Sequence, residues 1–290
     1  MFDFTKYWKI YAAISGTVIL LGIISIVRWG YIYSIDFVGG TNLEYQFTPG
    51  VTEQQVKTVL DSQDVEIVTL ESRSANTFFI KLSAIDEQKE ATLRQTLQTR
   101  LNSEVTVIRT ETVGPTIGAE TLKKTAIAAG IAIVGILLYI AWAFKNVNFA
   151  LAAIIAMFHD ILVVVGTYSI ISHFFGAELD TMFVTALLTT MSFSVHDTIV
   201  VFDQIREYRK HHGIGYIEEY ANKALTDTMV RSLNNSFTIV FMLLALVLLG
   251  GVTVRYFAVA LLIGTITGTY SSPFVATPVA VWLEKRNMKK

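Results

Sequence analysis

The chain has 290 residues, of which 52% are hydrophobic and only 16% are charged, and its mean hydropathy is +0.50. Soluble domains carry about 25% charged residues, so this composition predicts an integral membrane protein. The formal net charge of -1 argues against nucleic acid as a partner. The absence of cysteine excludes disulfides, thiolate metal sites and cysteine nucleophiles.

The first apolar run covers residues 10–27 and follows Lys6 and Lys9. It is long enough to cross a bilayer, and no small-residue cleavage site follows it. We therefore expect segment 1–28 to hold an uncleaved transmembrane helix rather than a signal peptide.

The polar segment 29–122 has the patterns of a small α+β domain. Helices are predicted at 87–101 and after Thr52, because Thr52 and Gln55 have the spacing of a capping box. Strands are predicted where apolar and polar residues alternate, at 35–38 with 42–47, at 65–70, at 77–82 and at 105–112. The order βαββαβ is that of a ferredoxin-like domain.

Five further apolar runs within segment 123–284 predict transmembrane helices at about 125–144, 149–172, 181–202, 229–249 and 257–283. With the first helix they make six spans. The positive-inside rule then predicts that both chain ends are cytoplasmic and that segment 29–122 is extracytoplasmic. The cationic residues on the predicted cytoplasmic side are Lys6, Lys9, Arg206, Arg209, Lys210 and Lys223, followed by Lys285, Arg286, Lys289 and Lys290 of a basic tail, 285–290.

The last span combines small residues with proline. Gly264, Gly268 and Ser272 recur at four-residue steps, which favours close packing against a neighbouring helix. Pro273 and Pro278 predict a kink in the same helix, because proline lacks the backbone N–H.

The most informative stretch is 192–206, which begins inside an apolar run and ends in charged sequence. A carboxylate at bilayer depth costs about 2.5–3.5 kcal/mol, so Asp197 is a candidate ion or proton carrier. Arg231 is expected at similar depth on the next helix, and consecutive antiparallel helices are usually neighbours, which predicts an Asp197–Arg231 pair.

A second polar pair, His159 and Asp160, is expected near mid-bilayer in the third span. Neighbouring residues point about 100° apart on a helix, so the two side chains are not expected to face one spot. Two interpretations remain open for this pair, a functional site or ordinary polar contacts between helices. His196, beside Asp197, is expected first to be a packing or hydrogen-bonding residue, although its imidazole titrates near neutrality.

No hydrolase, metalloprotease, Walker or dinucleotide motif occurs in a suitable context, so we expect neither an enzyme nor a cofactor or metal. One charge moved through about 150 mV yields roughly 3.5 kcal/mol, enough to drive a conformational equilibrium. The residues therefore favour a proton-driven membrane machine whose moving part is the external domain.

Six motifs in order resemble the SecF branch of the SecD/SecF family, which has a fold of the resistance-nodulation-division type. They are residues 36–41 (Asp-Phe-Val-Gly-Gly-Thr), 113–118 (Val-Gly-Pro-Thr-Ile-Gly), 159–160 (His-Asp), 197–203 with 205–207, 231–234 (Arg-Ser-Leu-Asn) and 268–272 (Gly-Thr-Tyr-Ser-Ser).

The resemblance implies six transmembrane helices, a periplasmic ferredoxin-like domain and use of the proton-motive force in protein export. By similarity, Asp197 is the proton-carrying carboxylate, Arg231 its essential arginine and Asp160 a further coupling position, with His196 and His159 as possible modulators. Gly39, Gly40, Gly114, Pro115 and Gly268 are expected to have backbone or packing roles. The implied partners are SecD, the SecYEG channel, YajC and preproteins, in the bacterial cytoplasmic membrane.

The sequence departs from its relatives in the key stretch. Most relatives have Asn-Asp where this chain has His196-Asp197, and Asp-Arg-Ile-Arg where it has Asp203-Gln-Ile-Arg206. Two alternatives also remain: a small-molecule or lipid exporter of the same superfamily, which usually has two large external domains, and a non-coupled translocon scaffold.

Overall fold

A computed structural model of the chain describes residues 4, 6–144, 146–213 and 216–288. Lys289 and Lys290 of the predicted basic tail lie outside the described residues. The helices are α1 (Trp8–Arg28), α2 (Ile35–Val38), α3 (Glu53–Asp61), α4 (Glu87–Leu101), α5 (Pro115–Ala143), α6 (Val147–Phe175), α7 (Thr181–His212), α8 (Ile217–Leu249), α9 (Val252–Ser271) and α10 (Thr277–Met288). The strands are β1 (Ile32–Tyr33), β2 (Gly40–Phe47), β3 (Ile67–Ser74), β4 (Thr77–Leu82), β5 (Val105–Val113) and β6 (Glu178–Leu179).

The chain divides into two compact units, Met1–Ile32 with Ile127–Lys290, and Tyr33–Ala126. The second unit has a four-stranded antiparallel sheet in the order β3-β4-β2-β5, with α3 and α4 between its strands in sequence. This is the ferredoxin-like βαββαβ arrangement, and it confirms the predicted fold class. Side chains of the sheet and both helices form one core, which includes Leu43, Phe78, Ile80, Val56 and Leu97.

The start of α3 shows why the local sequence predicted this domain. The Thr52 hydroxyl accepts the Gln55 N–H, and the Gln55 side chain accepts the Thr52 N–H, so both bonds of the capping box are present. On α4, Leu93 and Leu97 are buried in the core. Tyr45 donates a hydrogen bond from the sheet to Glu90 of the same helix. Burial, followed by this bond, raises the pKa of the Tyr45 phenol.

The predicted strand at 35–38 is wrong, because Ile35–Val38 forms the short helix α2. The Ser34 hydroxyl caps it by accepting the Asp36 N–H at 3.2 Å. Gly39 ends it with a φ of +78°, a conformation that side chains with a Cβ rarely adopt. A Cβ at Gly39 would also lie 2.7 Å from Pro115 Cα. The two glycine motifs that the sequence presented separately therefore contact each other.

The described residues of the other unit include helices that are long and apolar enough to cross a membrane. Together with α5, which has residues in both units, the described part of the chain has six such spans: Trp8–Trp29, Pro115–Ala143, Val147–Phe175, Thr181–His211, Ile217–Leu249 and Val254–Arg286. This agrees with the predicted six-helix membrane protein. Several helices extend beyond the apolar runs, since α5 begins at Pro115 and α8 at Ile217.

Glycines set the spacing of the central helices. A Cβ on Gly22 would lie 2.7 Å from Gly166 Cα, so α1 and α6 touch through their backbones. A Cβ on Gly264 would lie 2.3 Å from Thr190 Cγ2, and one on Gly268 would lie 3.1 Å from Ser194 Cα. The predicted small-residue face of the last span is thus the face that packs on α7.

The last span is not one regular α-helix. Residues Ser272–Ala276 form a π-helical turn between α9 and α10, and this turn contains Pro273. The Thr277 backbone N–H bonds to the Ser272 carbonyl, five residues back. The turn lies where proline predicted an irregularity, and it accommodates the missing backbone donor.

Candidate functional site

Asp160 of α6 lies at the centre of a buried polar cluster, with 4% of its surface exposed. Its Oδ2 accepts hydrogen bonds from the Ser194 hydroxyl of α7 and, at 2.7 Å, from the Ser271 hydroxyl of α9. Its Oδ1 lies 2.8 Å from His159 Nδ1. Three helices therefore supply partners to one carboxyl group.

His159 corrects the expectation that two neighbouring residues of a helix do not share one position. Its ring turns back so that Nδ1 reaches Asp160, while its face meets the Tyr270 ring edge-on at 5.7 Å. His159 Nε2 is buried and has no hydrogen-bond partner among the described residues.

Hydroxyl groups extend this cluster along α7. Thr198 Oγ1 donates to the Ser194 carbonyl at 3.0 Å and lies 2.9 Å from Ser272 Oγ. Ser272 is the first residue of the π-helical turn. The turn thus brings the two consecutive serines of the last span, Ser271 and Ser272, to Asp160 and to Thr198 respectively.

Asp197 lies on the same stretch of α7 and is 8% exposed. Its Oδ2 accepts a hydrogen bond of 2.7 Å from the Ser232 hydroxyl of α8. Among the described ion pairs, none joins Asp197 to Arg231. In the described part of the chain, Asp197 therefore has no direct ion pair with Arg231 but bonds to the residue that follows it, while Arg231 lies close enough to act on Asp197 electrostatically.

Arg231 is exposed and lines a polar cavity of about 910 Å³. Val200 and Asp203, which follow Asp197 by one and two helical turns, line the same cavity. Asp203 is paired with Arg206 at 2.9 Å. The arginine thus lies beside an open polar space rather than in a closed ion pair.

A second buried carboxylate network ties three helix ends together at the same end of the bundle. Glu284 of α10 accepts hydrogen bonds from Asn146 at 2.6 Å and from Asn148 at 2.8 Å. Its other oxygen accepts a bond of 2.8 Å from Arg209 of α7. No sequence pattern predicted this network, because its members are up to 138 residues apart in the chain and belong to no common motif.

The remaining candidate residues have different positions. His196 is exposed on α7, and Gly39, Gly40, Gly114 and Pro115 belong to the unit of residues 33–126. Within the described part of the chain, no group of three or more His, Asp or Glu residues is arranged to hold a metal. The carboxyl groups in the spanning part of α6 and α7, Asp160 and Asp197, are thus held by hydroxyl donors and by His159.

Sequence reasoning missed the serines that hold these carboxyl groups. Ser232 and Ser271 lie inside the motifs at 231–234 and 268–272, but serine in a helix usually bonds to its own backbone. Ser194 comes three residues before Asp197 and so lies on a similar face of α7, the only signal that pointed to it.

The family model for the C-terminal part of the SecD/SecF protein export membrane proteins matches residues 93–286, which is more than half of the chain. This chain belongs to the SecD/SecF family. It is a multi-pass membrane protein of that family, with six spans.

Two named relatives of full length support the assignment. Protein translocase subunit SecF from Anaerolinea thermophila is 39% identical over 281 residues, covering 94% of this chain and 91% of that protein. The SecF subunit from Thermobaculum terrenum is also 39% identical, over 303 residues, covering 99% of this chain and 95% of that protein.

The chain also resembles a solved structure of the family. The crystal structure of SecDF from Thermus thermophilus, described as a translocon-associated membrane protein, matches with a TM-score of 0.83 at 31% identity. The match covers 99% of this chain but 39% of the SecDF chain. This chain therefore corresponds to a minor part of the longer protein.

Proposed function

We propose that this chain is a SecF-like subunit of the Sec preprotein translocase and uses the proton-motive force to assist late steps of protein export. The observation that carries the proposal is the state of Asp197. This carboxyl group is buried in a transmembrane helix, has a single hydroxyl donor among the described hydrogen bonds, and lies one turn from a polar cavity lined by Arg231. Such a group is free to gain and lose a proton or a partner.

The proposed topology is that of a bacterial cytoplasmic membrane protein with both chain ends in the cytoplasm and residues 29–122 in the periplasm. It is supported by the excess of Lys and Arg before the first span, in the segment 203–228 and after the last span. The cavity lined by Arg231 then opens near the cytoplasmic end of the bundle, because Arg206, Arg209 and Lys210 line it too.

Asp197, Arg231 and Asp160 have different proposed roles in coupling. Asp197 takes the proton, and Arg231 supplies the positive charge that favours its release toward the cavity. Asp160 holds α6, α7 and α9 in register through His159, Ser194 and Ser271, so that a change at Asp197 moves these helices together. His196, exposed beside Asp197, adjusts this site from the side of a partner.

SecD is the proposed partner half, since the SecDF relative is a longer chain of which this chain matches one part. Exposed polar residues on two helices, α7 and α8, indicate that a protein partner covers them. In the spanning region, α7 exposes Ser192 and His196, and α8 exposes Arg231, Asn234 and Asn235. Lipid does not satisfy these polar groups, whereas a second helical bundle does. The SecYEG channel and preproteins follow as the wider partners.

The test is preprotein translocation into vesicles that carry SecYEG, SecD and this chain, with an imposed pH gradient and membrane potential. We expect Asp197→Asn to remove the gradient-dependent stimulation, a loss of more than about tenfold in the stimulated component. Glu219→Gln is the matched control, because Glu219 is an exposed carboxylate of α8 outside the site. It should leave stimulation unchanged.

Assembly with SecD must be equal in wild type and both variants. Stimulation that persists without sodium identifies protons as the coupling ion. If Asp197→Asn keeps full stimulation, the carboxyl group is structural and the chain acts as a non-coupled scaffold. If gradient-driven efflux of a small amphiphile, rather than translocation, depends on Asp197, the exporter alternative replaces the proposal.

A further inference from the structure

A groove of about 920 Å³ opens on the side of the bundle formed by α1, α6 and α10. Its walls are almost entirely apolar, with Ile19 of α1, Phe158 and Leu162 of α6, and Phe274 and Val279 of the last span. Exposed Gly16 forms part of the floor. Of the residues in the Asp160 cluster, only His159 also lines this groove.

The groove has a closed end and an open end. At the closed end, just beyond Ile19 and Leu162, α1 and α6 meet at Gly22 and Gly166 so closely that a Cβ on Gly22 would lie 2.7 Å from Gly166 Cα. From Trp8 to Ile19 the groove follows α1 for eleven residues, or about 16 Å at 1.5 Å per residue. The hydrocarbon of one leaflet is about 15 Å thick, so the groove is as deep as one leaflet.

The open end has the side chains of a membrane–water interface. Trp8 and Trp282 lie there, about half exposed, together with Lys285. The Arg286 guanidinium lies 5.8 Å from the Trp282 ring centre, and Lys9 is exposed one residue after Trp8. Among the described residues that line the groove, Glu218, which bonds to Lys285, is the one acidic residue. Tryptophan and basic residues at this level mark the depth of lipid headgroups, and the cationic excess favours an anionic one.

The groove is also separate from the face that calls for a protein partner. The exposed polar residues at bilayer depth lie on α7 and α8, whereas of these two helices only Glu218, in the first turn of α8, lines the groove. A helix from a partner would be about 10 Å wide and would need polar or small contacts along its length, whereas Ser15 and Gly16 lie among bulky apolar side chains in these walls. An acyl chain matches the apolar chemistry of the walls.

From this geometry we propose that the α1–α6–α10 groove binds an anionic phospholipid. One acyl chain lies between α1 and α6 with its end at Gly22 and Gly166, and the phosphate lies among Lys9, Lys285 and Arg286. The lipid fills the space below the glycine contact and so fixes the angle at which α1 leaves α6. The lipid site shares only His159 with the Asp160 cluster and does not include Asp197.

The experiment is native mass spectrometry of the purified full chain after exchange into phosphatidylglycerol or phosphatidylcholine micelles. We expect wild type to keep one phosphatidylglycerol at collision energies that remove phosphatidylcholine, with about tenfold preference. Gly16→Phe should lose this retention, because its side chain occupies the groove. The matched control is Gly135→Phe on α5, since a Cβ at either glycine meets nothing within 4 Å.

A second measurement needs no substitution and so does not depend on the variants folding. Phosphatidylglycerol with a photoreactive diazirine at the end of one acyl chain should label peptides around Ile19 and Leu162 in wild type. Excess unlabelled phosphatidylglycerol should reduce the labelling at least fivefold. Equal retention of the two lipids, equal behaviour of the two glycine variants, or labelling spread evenly over all six spans would overturn the proposal and leave only unspecific annular lipid.

Discussion

Asp160 and Asp197 are two buried carboxyl groups of one helical bundle, and their surroundings differ. Asp160 receives partners from His159 beside it, from Ser194 on α7 and from Ser271 on α9. Asp197 has only Ser232 among the described hydrogen bonds. A carboxyl group held from three sides is costly to move, whereas one held from a single side changes its partner easily. Burial alone therefore does not distinguish the two carboxyl groups, whereas the number of their donors does.

The largest expected effect is a loss of unfolding free energy, and it should be greater at Asp160 than at Asp197. Asp160→Ala leaves Ser194, Ser271 and His159 without their common acceptor and should lower the free energy of unfolding by about 3 kcal/mol. Asp197→Ala loses one hydroxyl contact and should cost about 1 kcal/mol. Thermal or denaturant unfolding of the purified chains in one detergent measures both. Equal losses would contradict the comparison.

A glycine beside the Asp160 cluster tests whether helix spacing supports it. A Cβ on Gly268 would lie 3.1 Å from Ser194 Cα, so Gly268→Ala should push α9 from α7 and cost about 1–2 kcal/mol of unfolding free energy. Gradient-driven stimulation per folded molecule should also fall, because the Ser194 and Ser271 contacts to Asp160 that link α7 and α9 are disturbed. Gly135→Ala, in open space on α5, is the control and should not destabilise the chain.

A smaller effect, on gradient-dependent translocation, is expected from changes at Ser232, the hydrogen-bond donor to Asp197. Ser232→Ala should reduce gradient-dependent translocation about fivefold, equivalent to about 1 kcal/mol, because Asp197 then lacks a fixed position. Ser232→Thr keeps the hydroxyl and should recover most of the activity. Thr238→Ala, an exposed position of the same helix, should match wild type. If Ser232→Ala also matches wild type, Ser232 does not position Asp197.

The last prediction concerns the stability of the unit of residues 33–126, where Tyr45 bonds to the carboxyl group of Glu90. Tyr45 donates to Glu90, and burial raises the pKa of its phenol. Tyrosine in the unfolded chain titrates near pH 10, so this contribution to stability is complete below about pH 10 and is lost as the pH rises further. Tyr45→Phe should cost about 1 kcal/mol at pH 8.

The pH dependence distinguishes this pair from a simple packing contact. Between pH 8 and pH 10.5, the urea midpoint for cleavage within residues 33–126, measured by pulse proteolysis, should fall more in wild type than in Tyr45→Phe. Parallel declines in the two proteins would show that the phenol does not titrate on unfolding.

The sequence was sufficient for the fold because its signals were local. A capping box at Thr52, leucines on one face of α4 and uninterrupted apolar runs each act within a few turns of chain. The same reasoning failed at Ile35–Val38, where four residues are too few to separate alternation from a helical turn. There the Ser34 cap and Gly39 determined the outcome.

The site was only half predictable, for a physical reason. Intramembrane charge identifies Asp160, Asp197 and Arg231 from composition alone, because charge is costly in lipid. Their partners are hydroxyl groups, which cost little and occur throughout the spans, and the distances between them depend on how α6, α7, α8 and α9 pack. Helix adjacency predicted an arginine near Asp197, and Arg231 does act on it electrostatically, but the hydrogen bond comes from Ser232, the next residue of α8.

The π-helical turn at Ser272–Ala276 acts as a phase shift in the last span. Each residue of an α-helix turns the chain by about 100°, so one extra residue in a wide turn rotates everything after it relative to everything before it. Ahead of the turn, Ser271 points to Asp160; after it, Glu284 reaches Asn146 and Arg209. A chain shortened by one residue there would form a more regular helix and could satisfy one of these two networks, but not both.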